Sequence, residues 1–130
     1  ATFVSEAYVS ASIGKPVVAI STPILDNSNN IIGIYIGALT LDKLSEITKN
    51  LKFGETGEAY IVDKNGNLVA HPKDEYFQDT TLKNIKDNEI VASALNGING
   101  ENVSLYYDNL TNTKVYASYK QIPGTSWYIV

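Results

Sequence analysis

Residues 54–72 read GETGEAYIVDKNGNLVAHP. Ala59, Ile61 and Asp63 alternate against Tyr60 and Val62, which is the period of a strand spanning 58–64. Asn65-Gly66 follows, a pair that tolerates the left-handed backbone of a tight hairpin turn. Leu68, Val69 and Ala70 then run back, and Pro72 fixes the chain where it leaves the return strand. The stretch is a β-hairpin on physical grounds, entered through the glycines of Gly54-Glu55-Thr56-Gly57 and closed by His71, the chain's single histidine.

Working outward, Leu41, Leu44, Ile47, Thr48 and Leu51 fall at helical spacing, with Asp42, Lys43, Glu46, Lys49 and Asn50 on the other side. Thr40 suits the N-cap, Asp42 suits the positive end of the helix dipole, and Gly54 ends the segment. Further upstream, Val17–Ile20 and Ile31–Ile36 read as two strands joined by the polar tip Asp26-Asn27-Ser28-Asn29-Asn30. Apolar residues occupy both parities there, so burial on both faces is expected. Downstream, residues 73–87 are looser. Asp87 or Asn88 caps a helix carrying Ile90, Val91, Ala94 and Leu95, closed by Gly97 and Gly100. Three strands follow, at 101–108, 113–122 and 126–130. From Leu41 the order is helix, two strands, helix, three strands. That order predicts an α+β fold, a five-stranded antiparallel sheet with flanking helices. The N-terminal hairpin is left over, part of a wider sheet or of a second small domain.

The chain has 130 residues, 44% of them apolar, enough for a core. No apolar run reaches the roughly 18 residues of a membrane span. The start, ATFVSEAYVS, has no signal-peptide pattern, so the segment reads as soluble; an ectodomain of a membrane-bound parent would look the same. The net charge of −4 is scattered, which argues against nucleic acid and against anionic lipid as partners. Cysteine is absent, which excludes disulfides, thiolate metal sites and a thiol nucleophile.

His71 lies near Asp63, Asp74 and Glu75 in sequence, and a His–carboxylate pair serves general-base or metal chemistry. A histidine at a strand end holding the following loop is the better account. Gly54-Glu55-Thr56-Gly57 lacks the Lys-Ser/Thr of a phosphate loop, and a strand follows it. No Gly-x-Ser-x-Gly occurs, and nothing singles out a pair of catalytic carboxylates. No catalytic residue, metal site or cofactor is expected. Nine tyrosines are more telling. Tyr8, Tyr35, Tyr60, Tyr106, Tyr116 and Tyr119 sit in or beside predicted strands, where apolar bulk with a hydroxyl suits the lining of a small-molecule pocket.

Ser5-Glu6-x-Tyr8, then Gly14-Lys15-Pro16 with its valine-rich strand, then the Gly-rich strand before the helix, then Gly54-x-Thr56-Gly57-x-x-Tyr60-x-x-Asp63-x-x-Gly66 with His71-Pro72, together resemble the extracellular Cache sensor domain of bacterial methyl-accepting chemotaxis proteins and sensor kinases. Ile13 stands where that pattern often has Thr. The resemblance covers most of the chain and implies a PAS-like fold in two stacked lobes. Residues 41–130 then form a membrane-proximal lobe, and residues 1–40 are the last part of a membrane-distal one. The left-over hairpin needs a partner: the proximal sheet, or a second copy through strand exchange in a homodimer. The amino-acid-binding subgroup uses a Tyr, an Asp two residues on, and an Asp just before the linking helix. Tyr8 matches the first, while Ser10 and Ala38 replace the two acids. A carboxylate, another small polar molecule or no direct ligand remain the options, an organic acid or an amino acid being the partner expected.

The expectation is therefore a small-molecule sensing and relay domain on the extracytoplasmic side of the bacterial membrane, in a membrane-anchored chemoreceptor. The ligand-binding residues would be Tyr8, Ser10, Tyr60, Tyr106 and Tyr116. A histidine kinase or diguanylate cyclase sensor is the near alternative. A small α/β enzyme using His71 is the distant one.

Overall fold

The computed structural model describes residues 1–78, 80–98 and 102–130. The N-terminal part is a sheet in which β3 (Pro16–Leu25) pairs antiparallel with β4 (Ile31–Thr40), β1 (Phe3–Val4) and β2 (Tyr8–Val9). Asp26 closes the tip: its carboxylate accepts from the backbone N–H groups of Ser28 (2.8 Å) and Asn30 (2.9 Å). The predicted hairpin is present but longer. Burial on both faces holds only at its base, where Val17 and Val18 are sealed. From Ile31 to Leu39 the large side chains of β4 are exposed, because the strands run past the edge of the core beneath them and no described residue covers them.

Helix α1 (Leu41–Lys49) continues directly from β4. Its buried stripe is Leu41, Leu44, Ser45 and Thr48, at i, i+3, i+4 and i+7. Ile47, expected on that stripe, is turned away and exposed. Thr40 occupies the N-cap without a side-chain bond to the helix backbone; its hydroxyl serves the Asp42 carboxylate instead, which lowers the Asp42 carboxyl pKa. The GETG segment makes a small hairpin of its own: β5 (Lys52–Phe53) pairs with β6 (Gly57–Glu58), with Gly54 at φ +65 in the turn. This separates Glu58 from the strand it was expected to begin.

The central hairpin joins β7 (Ile61–Val62) to β8 (Leu68–Ala70). In its turn only Gly66 has positive φ (+80). The turn is held by Asp63, whose carboxylate accepts from the N–H groups of Asn65 (2.9 Å) and Asn67 (3.0 Å) and from the Asn67 side chain (3.1 Å). A side chain on Gly66 would come within 2.6 Å of Lys86. A short 3₁₀ turn (Asp74–Phe77) and α2 (Glu89–Leu95) follow. Asn88 caps α2 by accepting from Ile90 N–H (3.1 Å), and Gly97 closes it at φ +70. Gly100, expected to help close it, lies outside the described residues, as does Glu101 at the start of the next predicted strand.

The last third is β9 (Ser104–Asp108), β10 (Thr113–Ala117), β11 (Lys120–Gln121) and β12 (Tyr128–Ile129). The predicted strand 113–122 is interrupted at Ser118–Tyr119, and its halves serve different ladders. β10 pairs with β9, while β11 joins the four-stranded sheet β11-β12-β7-β8. The expected five-stranded sheet is thus two antiparallel ladders in succession. The break follows from Tyr119, which is buried against α2 and whose hydroxyl donates to the Ile98 carbonyl. The fold class is α+β and PAS-like.

The N-terminal strands pack against the rest of the chain. Ala7 and Val18 share a core with Leu41, Leu44, Ile61, Val69, Ala70 and Trp127. Ala7 N–H donates to Asp63 (3.0 Å) and the Trp127 indole N–H to the Ser5 carbonyl (3.1 Å). Among the described residues, no helix is long and apolar enough to cross a membrane.

Candidate functional site

The β5–β6 hairpin and the β10–β11 strand leave between them a groove of about 1200 Å³, floored by Tyr60, Ile90, Asp108, Ile129 and Val130. Glu58 and Lys73 stand at its side and Tyr116 at its rim. A smaller cleft of about 470 Å³ beside the start of α1 is lined largely by paired charges, Lys49 with Asp74 (2.7 Å) among them.

Tyr60 is placed by the ladder. Its N–H donates to the Val130 carbonyl (3.0 Å) and its carbonyl accepts from Val130 N–H (2.9 Å), so the ring is fixed at the join between the central hairpin and the last strand. Tyr60 is 6% exposed, and its hydroxyl has no hydrogen-bond partner among the described residues. A buried polar group left unpaired costs about 1–3 kcal/mol. Burial pushes the hydroxyl pKa well up, and the charges of Asp108 and Glu58 push it further. Asp108 is held by Asn88 Nδ2 (2.7 Å) and Leu110 N–H (3.0 Å) on Oδ1, and by the Thr111 hydroxyl (2.8 Å) on Oδ2.

His71 lies behind Tyr60, the two rings stacked at 5.5 Å, with Tyr76 edge-on at 4.6 Å. Its Nδ1 accepts from Lys73 N–H (3.0 Å), which leaves the proton on Nε2 and holds the loop that follows. Among the described residues Nε2 has no hydrogen-bond partner; Glu58 Oε1 is 3.5 Å away. Burial, with Lys73 adding and Asp108 opposing, pushes the His71 pKa down to about 4. The acids near it in sequence do not meet it. Asp63 holds the turn, Asp74 pairs with Lys49, and the carboxylate beside the ring is Glu58. A sealed, neutral imidazole off the groove offers no substrate a base. Among the described residues, no group of three or more His, Asp or Glu side chains is placed to hold a metal ion.

Of the five tyrosine and serine positions expected to bind ligand, two meet here. Tyr60 forms the floor, and Tyr116, 77% exposed, forms the rim. Tyr106 is half-buried in the cluster of Ile90, Ala94 and Tyr119 instead. Tyr8 pairs with Val17 at the base of the N-terminal sheet, and Ser10 sits beside it with its hydroxyl 3.0 Å from that of Ser12. Ala38 pairs with Ala19 in the same sheet. Sequence reasoning missed Glu58, Lys73 and Asp108. Asp108 carried a signal, an acid at a strand end ahead of the polar turn Asn109-Leu110-Thr111-Asn112.

Residues 1–130 match the family dCache_1, described as Cache domain. The methyl-accepting chemotaxis protein McpA of Pseudomonas putida is 32% identical over 124 residues, 91% of this chain and 18% of that protein. The extracellular domain of a protein described as a histidine kinase, mmHK1S-Z3, superposes with a TM-score of 0.71 at 20% identity, over 98% of this chain and 47% of that one. The ligand-binding domain of the Pseudomonas aeruginosa PAO1 amino acid chemoreceptor PctB, in complex with L-Arg, superposes with a TM-score of 0.65 at 24% identity, over 98% and 52%. The chain thus spans under a fifth of the length of the first curated relative and about half of these solved ones.

Proposed function

This chain belongs to the Cache domain family, and on that premise we propose that it is a sensing and relay segment of a bacterial chemoreceptor. It acts on the extracytoplasmic side of the membrane, binds a small molecule and catalyses no reaction. The observation that carries this is the double hydrogen bond between Tyr60 and Val130 at 3.0 and 2.9 Å. It ties the buried floor of the groove to the last strand, through which a signal would leave towards a membrane helix. A ligand that prefers one arrangement of this floor shifts the population of the last strand, by no more than its differential affinity. Couplings of this kind run to about 1–3 kcal/mol. The helix α1 contributes through buried Leu44, since Ile47 faces outward.

Residues 41–130 are read as the membrane-proximal lobe and residues 1–40 as the end of a distal lobe. The exposed, apolar outer half of β3–β4 supports that reading, as strands built for cover on both sides. A second copy exchanging strands in a homodimer is the other source of cover. Tyr8 and Ser10 are assigned to the distal part and Tyr60 and Tyr116 to the proximal groove, while Tyr106 packs in the cluster of Ile90, Ala94 and Tyr119. With Ser10 and Ala38 in place of two acids, an amino acid held through those positions is disfavoured, and an organic acid or another small polar ligand is preferred there. The similarity to mmHK1S-Z3 favours a histidine-kinase parent as the second reading, with the same relay.

Calorimetry and thermal-shift screens of the whole extracellular domain with amino acids, organic acids, amines and purines test this. At least one class should raise Tm and bind saturably; none doing so would overturn it. His71→Gln separates sensor from enzyme: stability falls while no turnover exists to lose.

A further inference from the structure

We infer that Glu6 is the positioning residue through which the N-terminal sheet sets the last strand, a releasable catch beside a fixed pivot. The inference rests on the relay reading above and names its junction. Three consecutive residues reach three segments that are far apart in sequence. Ser5 is tied to β3: its N–H donates to the Ala19 carbonyl (2.9 Å) and its Oγ accepts from Ala19 N–H (2.9 Å). Ala7 N–H donates to Asp63 Oδ2 (3.0 Å), in the turn of the central hairpin. Glu6 lies between them and reaches the residues just ahead of β12. Its Oε1 accepts from the Ser126 hydroxyl (2.8 Å) and stands 3.1 Å from Lys64 Nζ. The next residue, Trp127, donates its indole N–H back to the Ser5 carbonyl (3.1 Å).

These bonds differ in kind. Ala7, Asp63 and Trp127 are buried, so the pivot opens only with the core around it. The Glu6 contact lies at the boundary. The side chains of Glu6 and Lys64 are 26% and 60% exposed, so water replaces each partner when the contact opens. The Ser126 hydroxyl chiefly, with Lys64 helping and burial opposing, holds the Glu6 carboxyl pKa below its ordinary value, which keeps the group charged and the catch made at neutral pH. A directional contact worth little in stability is one that a ligand's modest preference can turn over, while the pivot keeps its register. A shift of β3 carried by Ser5 then moves Glu6 against Ser126. Displacement of Ser126 and Trp127 in turn alters the pairing of Tyr128 with Val62 and of Val130 with Tyr60.

Native-state hydrogen exchange and amide NMR shifts of the 130-residue chain, without ligand, test this. Glu6→Ala should quicken exchange at Tyr60 and Val130, neither of them among the Glu6 contacts above, at least about fivefold, while Val69 and Ala70 change less than about twofold. Ser5→Ala, which loosens the tie to β3, should shift the Val130 amide, and shift it less than about half as much when Glu6→Ala is also present. Uniform quickening at all four amides would mark a merely structural contact and overturn the inference, as would changes confined to Lys64 and Ser126. Trp127→Phe quickening Val130 where Glu6→Ala does not would overturn it too, moving the coupling to the pivot. Should Glu6→Ala not fold, Ser126→Ala decides, with quickening of at least about threefold expected at Val130. No ligand enters these measurements, so their failure leaves the sensing reading standing. A failed ligand screen with the response at Val130 intact overturns sensing and leaves the catch.

Discussion

β3–β4 and β7–β8 are both antiparallel hairpins with apolar residues at both parities, yet Ile34 and Tyr35 stand 64% and 69% exposed while Val62, Leu68 and Val69 are sealed. The inner hairpin has α1 across one side, the β12 ladder alongside it, and Asp63 pinning its turn to Asn65, Asn67 and Ala7. Beyond Ser21, where β1 ends its pairing, β3 and β4 have each other and little else among the described residues. Hydrophobic patterning states that a strand is made to be covered; it does not state that the cover lies within the same 130 residues. The described residues cover the inner hairpin on both sides and leave the outer half of β3–β4 exposed.

The contrast breaks first at Asp63. Asp63→Ala would strand four donors, three of them backbone N–H groups, and should cost about 3–5 kcal/mol in urea unfolding. A loss under 1 kcal/mol would mean that the network does not anchor the inner hairpin.

His71 gives the next effect, through pH. Its folded pKa of about 4 lies below its ordinary 6.5, so the unfolded chain binds the proton first as pH falls. Stability from this group is complete above 6.5 and declines between 6.5 and 4, by about 3 kcal/mol in all. Urea midpoints across that window should fall in the native chain and flatten in His71→Gln. Trp127→Phe removes the indole N–H bond to Ser5 and part of a buried ring, and should cost about 1–2 kcal/mol. Its amide exchange should quicken first at Ala7. Ile34→Thr, on the outer hairpin, should change stability by less than about 0.5 kcal/mol, because its side chain is 64% exposed.

Much of this was legible beforehand. Asn65-Gly66, Asn88 as a cap and the helical spacing of Leu41, Leu44 and Thr48 each express local chemistry, and each is found in place. What failed depends on tertiary surroundings. Ile47 obeys the helical period loosely, and the neighbours decide that it faces out. The strand 113–122 has no local stop signal; burial of Tyr119 against α2 divides it. At the groove, tyrosine content pointed to Tyr60 and Tyr116 because their residue type suits a lining. Glu58 and Asp108 join them through pairing between segments distant in sequence, which no spacing rule displays.

Native-state hydrogen exchange tests the central contrast most directly, on this chain and on one extended N-terminally to the length of its solved relatives. Residues 61–70 should exchange near the limit set by global unfolding in both. Residues 31–36 should exchange at least a hundredfold faster in the short chain and slow to the core rate in the long one. Equal protection of the two hairpins in the short chain, or no slowing on extension, would contradict the claim that the outer hairpin is built to be covered.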